Sequence, residues 1–111
     1  MATRSTIAVH LPEGIRAVYC HWDGYPDEEG GVGETLKHHY TKLRDIINLL
    51  DNGDLSVLKS TIEESVFYKD RGEDTPAQIF KSESDWLDWA GLTGCEYSYL
   101  FSGDKWIVEA I

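Results

Sequence analysis

The sequence predicts an α+β domain: an antiparallel sheet built from N- and C-terminal hairpins, with short helices packed on one face. Two observations carry this reading. Each end of the chain holds two β-rich runs separated by a short turn, and the middle holds apolar residues at helical spacing with capping and stop signals. A third observation sets the size: 111 residues, 41% hydrophobic with 4 Trp and 6 Tyr, suffice for one core in a single domain, 1–111.

In Thr6-Ile7-Ala8-Val9-His10-Leu11, Ile7, Val9 and Leu11 alternate and share a face. Pro12-Glu13-Gly14 turns the chain. Ile15 to Trp22 returns, with Val18, Cys20 and Trp22 pointing one way and Tyr19 and His21 the other, which makes a hairpin. Asp23 to Gly33 is a glycine-rich loop around Asp27-Glu28-Glu29; its glycines free the backbone and its acids keep it in water. Residues 34–40 read as a short helix with Val32, Leu36 and Tyr40 inward.

Thr41 is the expected N-cap of a second helix carrying Leu43, Ile46, Ile47 and Leu50, stopped by Asn52-Gly53. Asp54 caps a further turn with Leu55, Leu58 and Ile62 as its stripe, so 34–62 reads as a compact helical insertion. Short strands are expected at 65–68 and 77–80, with a charged turn between them. Ser82 or Ser84 caps a helix carrying Trp86, Leu87, Trp89 and Ala90. Residues 95–101 and 105–110 form the closing hairpin around Ser102-Gly103-Asp104.

Charge narrows the function classes. The formal net charge is −10, with most of the excess in residues 63–111. Phosphate contacts need clustered Lys and Arg, so direct nucleic-acid binding is disfavoured and a basic partner surface is favoured. The two cysteines, Cys20 and Cys95, fall in expected strands and form no CxxC pair. No signal-like run follows the N-terminus and no segment reaches the roughly 18 apolar residues of a membrane span, so a cytoplasmic protein with reduced thiols is expected.

Residues 16–26 concentrate the groups able to do chemistry. Cys20, His21 and Asp23 with His38 or His39 contain metal-ligand types, and the same set resembles the parts of a Cys-His nucleophile. Strand geometry sends Cys20 and His21 to opposite faces, and His38 and His39 diverge on a helix. Buried-cysteine packing is therefore the stronger reading, with no metal, no cofactor and no catalytic residue expected. Gly30-Gly31-Val32-Gly33 before a helix is a weak anion cue beside Asp27-Glu28-Glu29. Arg16, Trp22 and Tyr25 could wall a small-ligand pocket, giving a nucleotide-signal sponge as the alternative function. In the C-terminal half, Asp70, Glu73, Asp74, Glu83, Asp85 and Asp88 space negative charge in a way that imitates a phosphate row, and Trp86 or Trp89, if exposed, would anchor an interface.

The runs 3–8 (Thr-Arg-Ser-Thr-Ile-Ala) and Val18-Tyr19-Cys20-His21-Trp22-Asp23-Gly24-Tyr25-Pro26, with Val32-Gly33 and His39-Tyr40, resemble a family of small acidic proteins encoded in bacteriophages and mobile elements. Residues 48–56, Tyr97-Ser98-Tyr99-Leu100-Phe101 and Lys105-Trp106 are similar as well. The Tyr-Cys-His-Trp-Asp-Gly-Tyr run is the specific part. No catalytic residues transfer from the family. The resemblance implies a phage context in a bacterial host. By analogy it implies an inhibitor of host defence, anti-CRISPR or anti-restriction in kind, that occupies a nucleic-acid groove as a mimic. The expected function is thus a non-enzymatic inhibitor or adaptor for a basic surface of a host protein or nucleoprotein complex. The expected contacts are Tyr19, His21, Asp23, Tyr25, Asp27, Glu28, Glu29, Asp70, Glu73, Asp74, Asp85 and Asp88. No membrane partner is expected, and a homodimer stays open.

Overall fold

A computed structural model describes residues 2–111. Along the chain lie β1 (Ser5–Leu11), β2 (Gly14–Cys20), α1 (Val32–His39), α2 (Leu43–Leu50), β3 (Leu55–Val57), β4 (Val66–Phe67), a 3₁₀ turn (Tyr68–Arg71), β5 (Gln78–Phe80), α3 (Glu83–Leu92), β6 (Tyr97–Ser102) and β7 (Lys105–Ala110). The fold class is α+β. The strands run in the order β4-β3-β2-β1-β6-β7, with β5 also paired to β2.

Both expected hairpins form. Ile7 stands opposite Val18 in the first, and Leu100 opposite Ile107 in the second. They meet through β1 and β6, which run parallel, with Ile7 opposite Tyr99. The sheet is therefore mixed rather than wholly antiparallel, and β3 adds a second parallel contact beside Cys20. β2 shares its outer side between two neighbours: β5 along Ile15–Ala17 and β3 at Cys20.

The helices divide between the two faces, which corrects the one-face arrangement. Ile7, Val9, Val18, Cys20, Tyr99 and Phe101 pack with Leu36 of α1 and Ile46, Leu49 and Leu50 of α2. Ala8, Ile15, Ala17 and Leu100 pack with Trp86 of α3 on the other face. Strand alternation decides which residue joins which layer. Ser5 to Val9 are consequently all buried, because β1 is central and covered from both sides. The Trp86 indole N–H donates to Thr6 Oγ1 at 3.0 Å, and that hydroxyl donates to the Val18 carbonyl at 2.9 Å. This chain of bonds lets α3 bury a large side chain without leaving a polar atom unpaired.

The 34–62 segment is not wholly helical. Leu55–Val57 is a strand, because the His21 and Trp22 N–H groups donate to the Leu55 and Ser56 carbonyls at 3.1 and 3.0 Å. Three residues are too few to show alternation, so the Leu55, Leu58, Ile62 spacing imitated a helix stripe. At α2 the N-cap is Lys42, with no side-chain bond, rather than Thr41. Ser82 caps α3, accepting from the Asp85 N–H at 3.1 Å. Cys95 lies just before β6, buried but outside the strand.

Candidate functional site

The strand β2 ends at Cys20, and the following segment is fastened to the fold at every step. Asp23 takes a left-handed conformation (φ 59°) and swings the chain over the sheet. The Gly24 N–H donates to Thr3 O at 2.8 Å, and the buried Tyr99 hydroxyl donates to Gly24 O. The Val32 N–H at the start of α1 donates back to Asp23 O at 2.7 Å, and the Gly33 N–H to Tyr25 O at 3.3 Å. The glycines here serve close approach. A Cβ at Gly31 would lie 2.5 Å from a Tyr25 ring carbon, and one at Gly33 would collide with the Pro26 backbone. The loop is thus a packed platform that holds Asp27, Glu28 and Glu29 exposed at the mouth of α1.

Beside this platform lies a hollow of about 480 Å³. Asp27 and Glu29 line it from the loop, Glu34, Thr35, His38 and His39 from α1, and Leu58, Lys59 and Ser60 from the segment after β3. A second hollow of about 270 Å³ shares His39 and Ser60 with it and adds Asp45 and Glu63. Together they make a groove along α1 with five carboxylates against Lys59 alone. Glu34 and His38 pair one helical turn apart at 3.0 Å. The Tyr40 hydroxyl, behind the groove, donates to Lys59 O at 2.9 Å and ties α1 to the opposite wall.

The residues once grouped as chemistry go separate ways. Cys20 is fully buried, its Sγ 3.7 Å from Trp22 O, and burial pushes its thiol up to about 12. It has the character of an inert core group rather than a nucleophile. His21 instead shares a hydrogen bond with Tyr19, its Nδ1 2.7 Å from the phenol oxygen. Burial pushes the Tyr19 phenol up to about 12 as well. The Tyr25 hydroxyl bonds Asp23 at 3.1 Å, which raises the phenol because losing its proton would place two negative charges side by side. Trp22, expected on the same face as Cys20, is 42% exposed, because the chain leaves strand geometry after Cys20; its ring meets His21 edge-on with centroids 4.8 Å apart. Arg16 is engaged by Asp51 at 2.8 Å. Among the described residues, no three His, Cys, Asp or Glu side chains gather as a metal-binding group.

The C-terminal acids are exposed, but none lines the groove. Asp70 sits on the 3₁₀ turn and Glu73 and Asp74 follow it; Asp85 and Asp88 lie on α3, on the other side of the sheet from α1. Trp86 is buried and Trp89 packs against Phe80 with ring centroids 5.2 Å apart, so neither is a free anchor. Sequence reading had placed Asp27 and Glu29 at the site but missed Glu34, Asp45, Lys59 and Glu63. The signal that could have found Glu34 is its spacing from His38 on a helix whose inner face was already assigned. Asp45 and Glu63 enter only through the tertiary approach of α2 and the 60–63 segment.

No helix among the described residues is long and apolar enough to cross a membrane. No protein-family model, curated protein or solved structure matches the chain.

Proposed function

We propose that this protein is a non-enzymatic acidic binding module whose groove along α1 receives Lys and Arg side chains from a basic partner surface. The observation that carries the reading is the concave wall of Asp27, Glu29, Glu34, Asp45 and Glu63, of which Asp27 and Glu29 stand on the hydrogen-bonded platform. A cationic side chain entering a hollow comes within a Debye length, about 8 Å at physiological salt, of several carboxylates at once, so their salt-sensitive attractions add. The platform is already ordered, so little loop entropy opposes binding. The resemblance to phage-encoded proteins supplies the partner class: a host defence protein or nucleoprotein complex whose nucleic-acid surface is basic, which the module would occlude. The net charge of −10 steers that encounter.

Titration of the full chain with an oligoarginine peptide at increasing salt tests this. Affinity falls steeply as salt rises, and Asp27→Asn/Glu29→Gln/Glu34→Gln weakens binding about tenfold at low salt. An affinity indifferent to salt, or to that triple substitution, would sink the proposal.

A further inference from the structure

The strand β7 closes one end of the sheet, so its outer edge carries no neighbouring strand. Such an edge offers a row of unpaired N–H and C=O groups to any strand of matching register. Register can be worked out from the chain. The Ile111 N–H donates inward to Glu96 O at 2.8 Å, in line with the pairing of Ala110 to Tyr97 and Ile107 to Leu100. In an antiparallel ladder the bonding direction alternates, so Lys105, Ile107 and Glu109 point their backbone groups at β6. Trp106, Val108 and Ala110 point theirs outward.

We infer that β7 is a self-pairing edge: a second copy of this chain adds its own β7 antiparallel, about a two-fold axis through Ile107. In that register Trp106 and Val108 of the partner subunit exchange both backbone hydrogen bonds, and the symmetry repeats the exchange. Ile107 meets Ile107 of the partner subunit at a non-bonded position, where side chains come closest. Ile107 is 38% exposed in the single chain, so it gains cover. Lys105 stands opposite Glu109 of the partner subunit, twice over. Centring the axis on Val108 instead sets Ile107 against the partner's Glu109 and leaves Lys105 with no carboxylate side chain directly opposite. Charge complementarity therefore selects the Ile107 register.

A hollow on the same face supports it. Glu83, Trp86, Leu87, Ser98, Leu100, Ile107 and Glu109 surround about 170 Å³ between α3 and the β6–β7 hairpin. Neither Glu83 nor Glu109 has an ion-pair partner within the chain among the described residues. The side chain of the partner's Lys105, arriving beside Glu109, stands at this hollow, which Glu83 also lines. A strand of six residues is a small contact, so the dimer forms in proportion to concentration rather than permanently.

Sedimentation velocity on the full chain, at rising concentration, reads the association. Lys105→Glu places like charges opposite each other and weakens the dimer about tenfold, and Lys105→Glu/Glu109→Lys restores it. Because the double variant restores pairing only if the two side chains face each other, general loss of folding cannot imitate the pattern. Oxidation of Ile107→Cys supplies the second readout, since the native thiols Cys20 and Cys95 are buried. The Ile107→Cys chain is expected to form a disulfide-linked dimer and Val108→Cys is not. A protein that stays monomeric at every concentration, a charge swap that restores nothing, or preferential linkage through position 108 would each overturn the inference.

Discussion

Two acidic regions of this molecule look alike as sequence and differ as structure. The loop 23–33 and the segment 70–88 each hold closely spaced carboxylates and turn residues. The first is pinned by hydrogen bonds to Thr3, Tyr99 and the start of α1, and it walls a groove. The second is divided among the 3₁₀ turn, the loop after it and the outer side of α3, and its acids line neither hollow along α1. Density of charge draws a basic partner, but concavity and a rigid backing decide where a cationic side chain can be held. Glycine marks the difference: at Gly31 and Gly33 it permits close approach to Tyr25 and Pro26, whereas Gly72 in the second region and Gly91 just beyond it in α3 have open space around them.

That contrast predicts the largest effect at the glycines. Gly33→Ala forces a Cβ into the Pro26 backbone and is expected to cost about 3 kcal/mol in chemical denaturation, with loss of oligoarginine binding. Gly91→Ala meets nothing within contact distance and sits inside a helix, so it is expected to stabilise by up to about 1 kcal/mol. Equal effects at the two sites would remove the distinction between platform and open surface.

Neutralising charge gives the next effect in size. The groove triple substitution is expected to lower oligoarginine affinity about tenfold, whereas Asp70→Asn/Glu73→Gln/Asp74→Asn lowers it by about twofold through the long-range field alone. Calorimetric titration of both variants under one buffer ranks the regions directly.

A thiol probe reports on the backing of the loop. Cys20 is buried behind it with its thiol pushed up to about 12, so alkylation at neutral pH is expected only on the timescale of unfolding. Rapid labelling of Cys20 in the folded protein, followed by mass spectrometry, would show that the platform opens freely.

The smallest effect concerns Asp54, which accepts the Tyr19 N–H at 2.9 Å from the end of the α2–β3 turn. Burial raises its carboxyl above the ordinary value, outweighing that hydrogen bond. A folded-state value above the unfolded one means the contribution is fully present below the unfolded titration and is lost as pH rises through the folded one. Asp54→Asn keeps an acceptor for Tyr19, so its melting temperature relative to the native chain should rise slightly as pH climbs from below the ordinary Asp value to neutral. An unchanged difference across that range would show that Asp54 stays solvated.

Much of the architecture was legible. The hairpins announced themselves because Ile7, Val9 and Leu11 alternate and because short turns separate each pair of runs. Parallel pairing of β1 with β6 was not legible, since nothing local records which edge meets which. Placement of α3 was hidden too: Trp86 reads as core on either face, and only the small inward residues Ala8 and Ala17 hint that a bulky side chain fills the second layer. For the groove, Asp27 and Glu29 stood out as a charge run. Glu63 did not, because it joins the wall through the approach of separate segments and leaves no mark in its own neighbourhood.

Backbone amide chemical shifts of the labelled protein, followed during addition of oligoarginine, test the central claim most directly. The groove account predicts perturbations centred on Asp27 to Glu34, His38, His39 and Leu58 to Ser60, extending toward Asp45 and Glu63. Perturbations confined to Asp70–Asp74 and Asp85–Asp88, with the groove silent, would contradict it.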